Sequence, residues 1–124
     1  MIWFCHASAM KYIAFLIVML PATAWADPPE ILAAEAHHDE QGYSFAVTVA
    51  HPDSGWEHYA DAWEVVAPDS TVLGVRTLLH PHEAEQPFTR SLENVVIPHS
   101  VKHVFIRVHC LVDGWAADMF EVTL

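Results

Sequence analysis

The feature that most constrains this chain is a period-two alternation of apolar residues that recurs in short runs and is punctuated by turn residues. Lys102 to Cys110 sets Val104, Ile106, Val108 and Cys110 against His103, Phe105, Arg107 and His109. Tyr43 to Ala50 sets Tyr43, Phe45, Val47 and Val49 against Ser44, Ala46 and Thr48. Successive side chains of a strand point to opposite faces, so such runs read as half-buried strands. Further strands are expected at Ile31 to Ala36, Asp61 to Ala67, Thr71 to Leu79, Phe88 to Leu92 and Met119 to Leu124. Pro68-Asp69-Ser70 supplies hairpin chemistry between two of them. No stretch after the leader shows helical periodicity over ten residues. Seven short strands in about a hundred residues predict an all-β sandwich of the immunoglobulin or fibronectin type III kind, with Trp63 as its buried tryptophan. A small barrel is the alternative.

Ahead of these runs lies a different pattern. Lys11 precedes the uninterrupted apolar run Tyr12 to Leu20, and Pro21 and the small residues up to Ala26 follow it. That order marks a secretory signal peptide over residues 1–26, with Ala24-Trp25-Ala26 as the cleavage motif. Met10 is an alternative start, and an uncleaved anchor is the other reading of the same run. The expected products are a leader, 1–26, and a β-sandwich domain, 27–124, that is periplasmic or secreted and not held in the membrane after cleavage.

Export changes the charge and the redox chemistry. The chain holds 5 basic and 16 acidic residues, 10 histidines and 2 cysteines. Lys11, His6 and Cys5 go with the leader, leaving 4 basic residues, 9 histidines, a net charge of −12 and the single Cys110. So acidic a surface repels phosphate backbones and disfavours nucleic acid and anionic lipid as partners. No internal disulfide can form, so the core must carry the stability. By parity Cys110 falls with Val104, Ile106 and Val108, which predicts a buried, inert thiol.

The histidines gather. In a sandwich of antiparallel strands the loops after strands two, four and six meet at one end. Those loops hold His51, Asp53, Glu57, His58 and Asp61, then His80, His82, Glu83 and Glu85, then His109 with Asp113. Neutral imidazole is the commonest protein ligand for transition ions, and carboxylates orient the ring through its second nitrogen. The expected site is therefore a copper or zinc site built from His51, His58, His80, His82 and His109, used for binding or delivery rather than catalysis. No glycine-rich phosphate loop, nucleophile elbow, paired-cysteine motif or helical zinc-protease signature occurs after the leader. A second expectation treats the acidic, aromatic rim of Trp56, Tyr59 and Trp115 as a protein-interaction surface, with an envelope protein as partner. Trp115 is expected to face Trp56 and Tyr59 across that rim.

The segments HPDSGWEHYADAWEV and LLHPHEAEQPFTRSL, followed by an Ile-Pro turn and a strand ending in histidine, resemble a family of small exported bacterial proteins of unassigned activity. The resemblance covers almost the whole expected domain and supports its boundaries. In the family pattern the strand-six histidine is followed by an aspartate and, a few residues on, by another histidine. Cys110 and Asp113 stand at those positions here, which implies a changed ligand set if a metal site lies there.

Overall fold

The computed structural model describes residues 28–124; the expected leader and its cleavage motif lie outside the described residues. Eight strands form: β1 (Glu30–Asp39), β2 (Gly42–Ala50), β3 (Ala60–Val66), β4 (Val72–Thr77), β5 (Phe88–Val95), β6 (His103–Cys110), β7 (Gly114–Trp115) and β8 (Phe120–Thr123). They build two antiparallel sheets. One is ordered β1-β2-β5; the other is β4-β3-β6, with β8 along the first half of the free edge of β6 and β7 at its last two residues. The expected sandwich is what forms, and among the described residues no helix is long and apolar enough to cross a membrane.

Alternation decides what the sheets enclose. Phe45, Val47 and Val49 of β2, Trp63 and Val65 of β3, and Val104, Ile106 and Val108 of β6 are buried between the layers. Their burial is the main driving force for folding, at about 1.5–3 kcal/mol for each large side chain. Trp63 takes the expected central position. The opposite parity faces out on the β3–β6 pair, where Glu64 lies across from Arg107 and Ala62 across from His109.

The boundaries differ most from the sequence expectation at four places, the first being β1, which runs past Ala36 to Asp39 and pairs His37 with Ser44 and His38 with Tyr43. β4 stops at Thr77, although the Leu78 N–H beyond it still donates to the carbonyl of Asp61 in β3 at 2.8 Å, in register with the Ala62–Thr77 pair. β5 runs on to Val95, carrying Asn94 at a left-handed φ of 59°. The two residues of β7, within what reads as loop, pair with the end of β6, His109 with Trp115 and Cys110 with Gly114. A two-residue strand has too little sequence to show alternation.

Candidate metal centre

The loops after β2, β4 and β6 meet at one end, and the first of them is built to turn back on itself. β2 ends at Ala50, and the Asp53 N–H then donates to the His51 carbonyl at 2.8 Å. Ser54 N–H reaches the His58 carbonyl at 2.9 Å and His58 N–H reaches the Gly55 carbonyl at 3.1 Å, closing a tight turn. Gly55 sits at φ 129°, a conformation that side chains bearing a Cβ rarely adopt. The turn returns His58 toward His51, and their rings meet edge to face with centroids 4.9 Å apart.

The third loop completes the group. Cys110 ends β6 opposite Ala60, the first residue of β3, and Leu111 N–H donates to the Tyr59 carbonyl at 3.2 Å. One donor atom each from His51, His58, Cys110 and Asp113 then lies within 4.8 Å of all the others. Tetrahedral coordination with bonds of about 2.0–2.3 Å puts neighbouring donors roughly 3.3–3.8 Å apart. The His58 Nε2 to Asp113 Oδ2 separation of 3.9 Å is already close to that range. A contraction of about 1 Å would bring the rest into it. The group could hold a metal ion.

Asp53 orients one of these ligands. Its side chain is fully buried, and Oδ1 accepts from His51 Nδ1–H at 2.5 Å and from Ala60 N–H at 3.0 Å. Oδ2 accepts from His82 N–H at 2.8 Å. With Nδ1 carrying the proton, the lone pair of His51 resides on Nε2. This carboxylate–imidazole arrangement fixes tautomer and ring orientation in metal sites. His51 Nε2 and His58 Nε2 are both buried and without a hydrogen-bond partner. A buried polar atom left unpaired costs about 1–3 kcal/mol and calls for an explanation, of which an ion is one. Gln86 joins the loops a second time, accepting from His51 N–H at 2.9 Å and donating to the His82 carbonyl at 2.8 Å.

The structure therefore brings together two of the five expected histidines, His51 and His58, and sends the other three elsewhere. His82 is buried but stacks on Phe88 at 3.8 Å, and its Nε2 accepts from Arg90 at 3.0 Å. Burial pushes its pKa down, Arg90 and His80 push the same way, and Asp53 and Glu85 oppose them. His80 is exposed, with Nδ1 donating to the Pro81 carbonyl at 2.9 Å. His109 lies on the outer face of its sheet, paired with Asp61 at 2.5 Å and edge-on to Trp115. Trp115 sits there too, under the guanidinium of Arg107, which is itself paired with Glu64, rather than facing Trp56 and Tyr59. Cys110 is as buried as its parity predicts, yet it stands in the donor group.

No family model matches the chain, and no solved structure matches it. A protein of Halomicrobium mukohataei named "Putative lipoprotein" is 38% identical over 78 residues, covering 63% of this chain. The chain matches only 38% of that relative's length.

Proposed function

We propose that this is an exported domain that binds one transition ion, copper or zinc, through His51, His58, Cys110 and Asp113, and that it stores or hands on the ion rather than catalysing a reaction. The observation that carries the reading is the pair of buried, unpartnered imidazole Nε2 atoms next to a buried thiol, with one ring held in the metal-binding tautomer by Asp53. A soft thiolate with two imidazoles favours copper(I) and zinc, while the carboxylate also tolerates harder divalent ions. The relative's printed name, which describes a lipoprotein, supports a place in the cell envelope, as does the signal-like leader.

The test is a titration of the metal-free domain with copper(I), copper(II), zinc, iron(II) and cobalt(II). The expected result is one ion per chain, with proton release as the thiol ionises and a thiolate-to-metal charge-transfer band in the cobalt or copper form. Cys110→Ser removes the band, and His51→Ala weakens binding. If histidine resonances and the thiol are unmoved by every ion up to about 1 mM, a binding energy of only about 4 kcal/mol, the reading is refuted.

A further inference from the structure

Of the four donor residues, His51 and Cys110 are buried, His58 is half-buried, and Asp113, on the turn between β6 and β7, is exposed. Asp113 marks the side from which an ion reaches solvent. The residues around it are not those of an ordinary solvated turn. Leu111 is 44% exposed, Val112 63% and Trp56 67%. Trp56 packs edge-on against Tyr59, and Tyr59 accepts the hydrogen bond from Leu111, so the three belong to one surface. Each of the two loops that bring ligands therefore also presents large apolar side chains to water.

The charges around this collar have one sign. Glu57 adjoins Trp56, Glu83 lies against Gly55, and an Asp113 oxygen lies 3.9 Å from His58 Nε2. The cations do not offset them. Arg90 is taken up by His82, Thr89 and Glu85, Arg107 by Glu64, and Arg76 by the Ser91 carbonyl; Lys102 precedes β6 at the other end of the sandwich. We infer that this collar docks a partner protein whose contact surface is apolar at its centre and basic at its rim, and that the ion crosses between the two through Asp113. The inference rests on the metal reading above. Transfer is ligand exchange with no change of oxidation state: an Asp113 oxygen leaves the ion, a donor of the partner replaces it, and the buried donors follow, Cys110 taking back a proton from solvent as the partner's thiol gives one up. Complementary charge at the rim speeds encounter, and the apolar centre holds the pair together.

The test uses the zinc-loaded chain and three synthetic peptides that share one Cys/His chelating sequence, flanked by Lys and Leu, by Lys and Ser, or by Glu and Leu. Zinc is expected to move to the Lys/Leu peptide about tenfold faster than to either of the others, with the advantage over Glu/Leu shrinking as salt rises. The double variant Trp56→Ser/Val112→Ser should bind zinc as the parent does but donate equally to the Lys/Leu and Lys/Ser peptides. Val72→Ser/Val75→Ser, on the distant strand β4, should keep the preference. Equal rates for Lys/Leu and Lys/Ser with the parent chain, or an unchanged preference in the Trp56/Val112 variant, overturn the docking inference while leaving the metal reading intact. If zinc does not load, the metal reading is what fails. Docking is then read from the anisotropy of labelled Lys/Leu peptide on the metal-free chain: binding that the Trp56/Val112 variant loses supports it, and no binding overturns it.

Discussion

Replacing Asp53 with alanine tests the centre at its most connected point. One buried carboxylate accepts from His51 Nδ1–H, Ala60 N–H and His82 N–H, so a single truncation leaves three donors in a dry site. A hydrogen bond to a charged group contributes about 1.5–3 kcal/mol. The three do not simply add, because removing the carboxylate also removes the cost of having buried it. Each buried donor left unpaired costs about 1–3 kcal/mol, and with that relief set against the three of them Asp53→Ala is expected to lose about 3–5 kcal/mol. For a domain of about a hundred residues, each kcal/mol moves Tm by roughly 4–8 °C, so a fall of about 12–40 °C follows. That is a large share of a total stability of about 5–15 kcal/mol. Asp53→Asn keeps one carbonyl oxygen for the backbone donors and should lose less, about 1–3 kcal/mol. It no longer sets the His51 tautomer, so metal affinity should fall about 10–100-fold in a chain that still folds. Urea unfolding measures the first quantity, and competition for zinc with a chromophoric chelator measures the second. An Asp53→Ala chain within about 1 kcal/mol of the parent would refute the role given to this carboxylate.

His82 should make stability depend on pH. Its folded pKa lies below the ordinary value of 6.5, chiefly through burial, so the unfolded chain takes up its proton first as pH falls. The contribution is complete above about pH 6.5 and is lost as pH drops from there toward the folded value; His82→Gln should show a flatter slope of unfolding midpoint between pH 8 and 5, and an unchanged slope removes the assignment. Gly42→Ala should destabilise by about 1–3 kcal/mol, read by thermal unfolding, because φ is 135° and a Cβ there would lie 2.7 Å from the Val95 carbonyl oxygen. Arg107→Ala leaves Glu64 buried without its partner and should cost about 1–3 kcal/mol, whereas in a Glu64→Gln background the same change should cost less, a difference that a double-mutant cycle reads directly.

The fold was legible because burial on one face of a strand writes itself into every second residue. Phe45, Val47 and Val49, and Val104, Ile106 and Val108, are the core that alternation predicts. What alternation could not show is where pairing ends without a change of composition. β4 stops at Thr77 although Leu78 and Leu79 continue the apolar run, and only the Leu78 N–H makes one more bond to β3, at the Asp61 carbonyl. The meeting of the three loops was legible too, since it follows from the reversal of direction at each hairpin.

Which histidines converge depended on the same parity rule applied to the site itself. His109 and Cys110 are adjacent on β6, so they must face opposite sides of its sheet. If Cys110 points inward with Ile106 and Val108, as its burial shows, His109 is sent to the outer face, where it meets Asp61 and Trp115. Five histidines gathered by loop membership therefore could not all close on one ion, and the thiol that looked inert was the β6 residue whose direction suited the group. His80 and His82 illustrate the other limit. Residues two apart in an extended segment share a face, and their rings do lie 4.5 Å apart. Arg90 nevertheless claims His82 Nε2, and Phe88 covers the ring. That competition comes from β5, whose relation to the loop is set by the sheets and not by local spacing. Gln86 left no signal at all, because an amide that bridges two loops is distinguished only by the atoms it reaches. A histidine count thus points to an end of a sandwich, while ligand identity is decided by strand parity and by which neighbours occupy the second nitrogen of each ring.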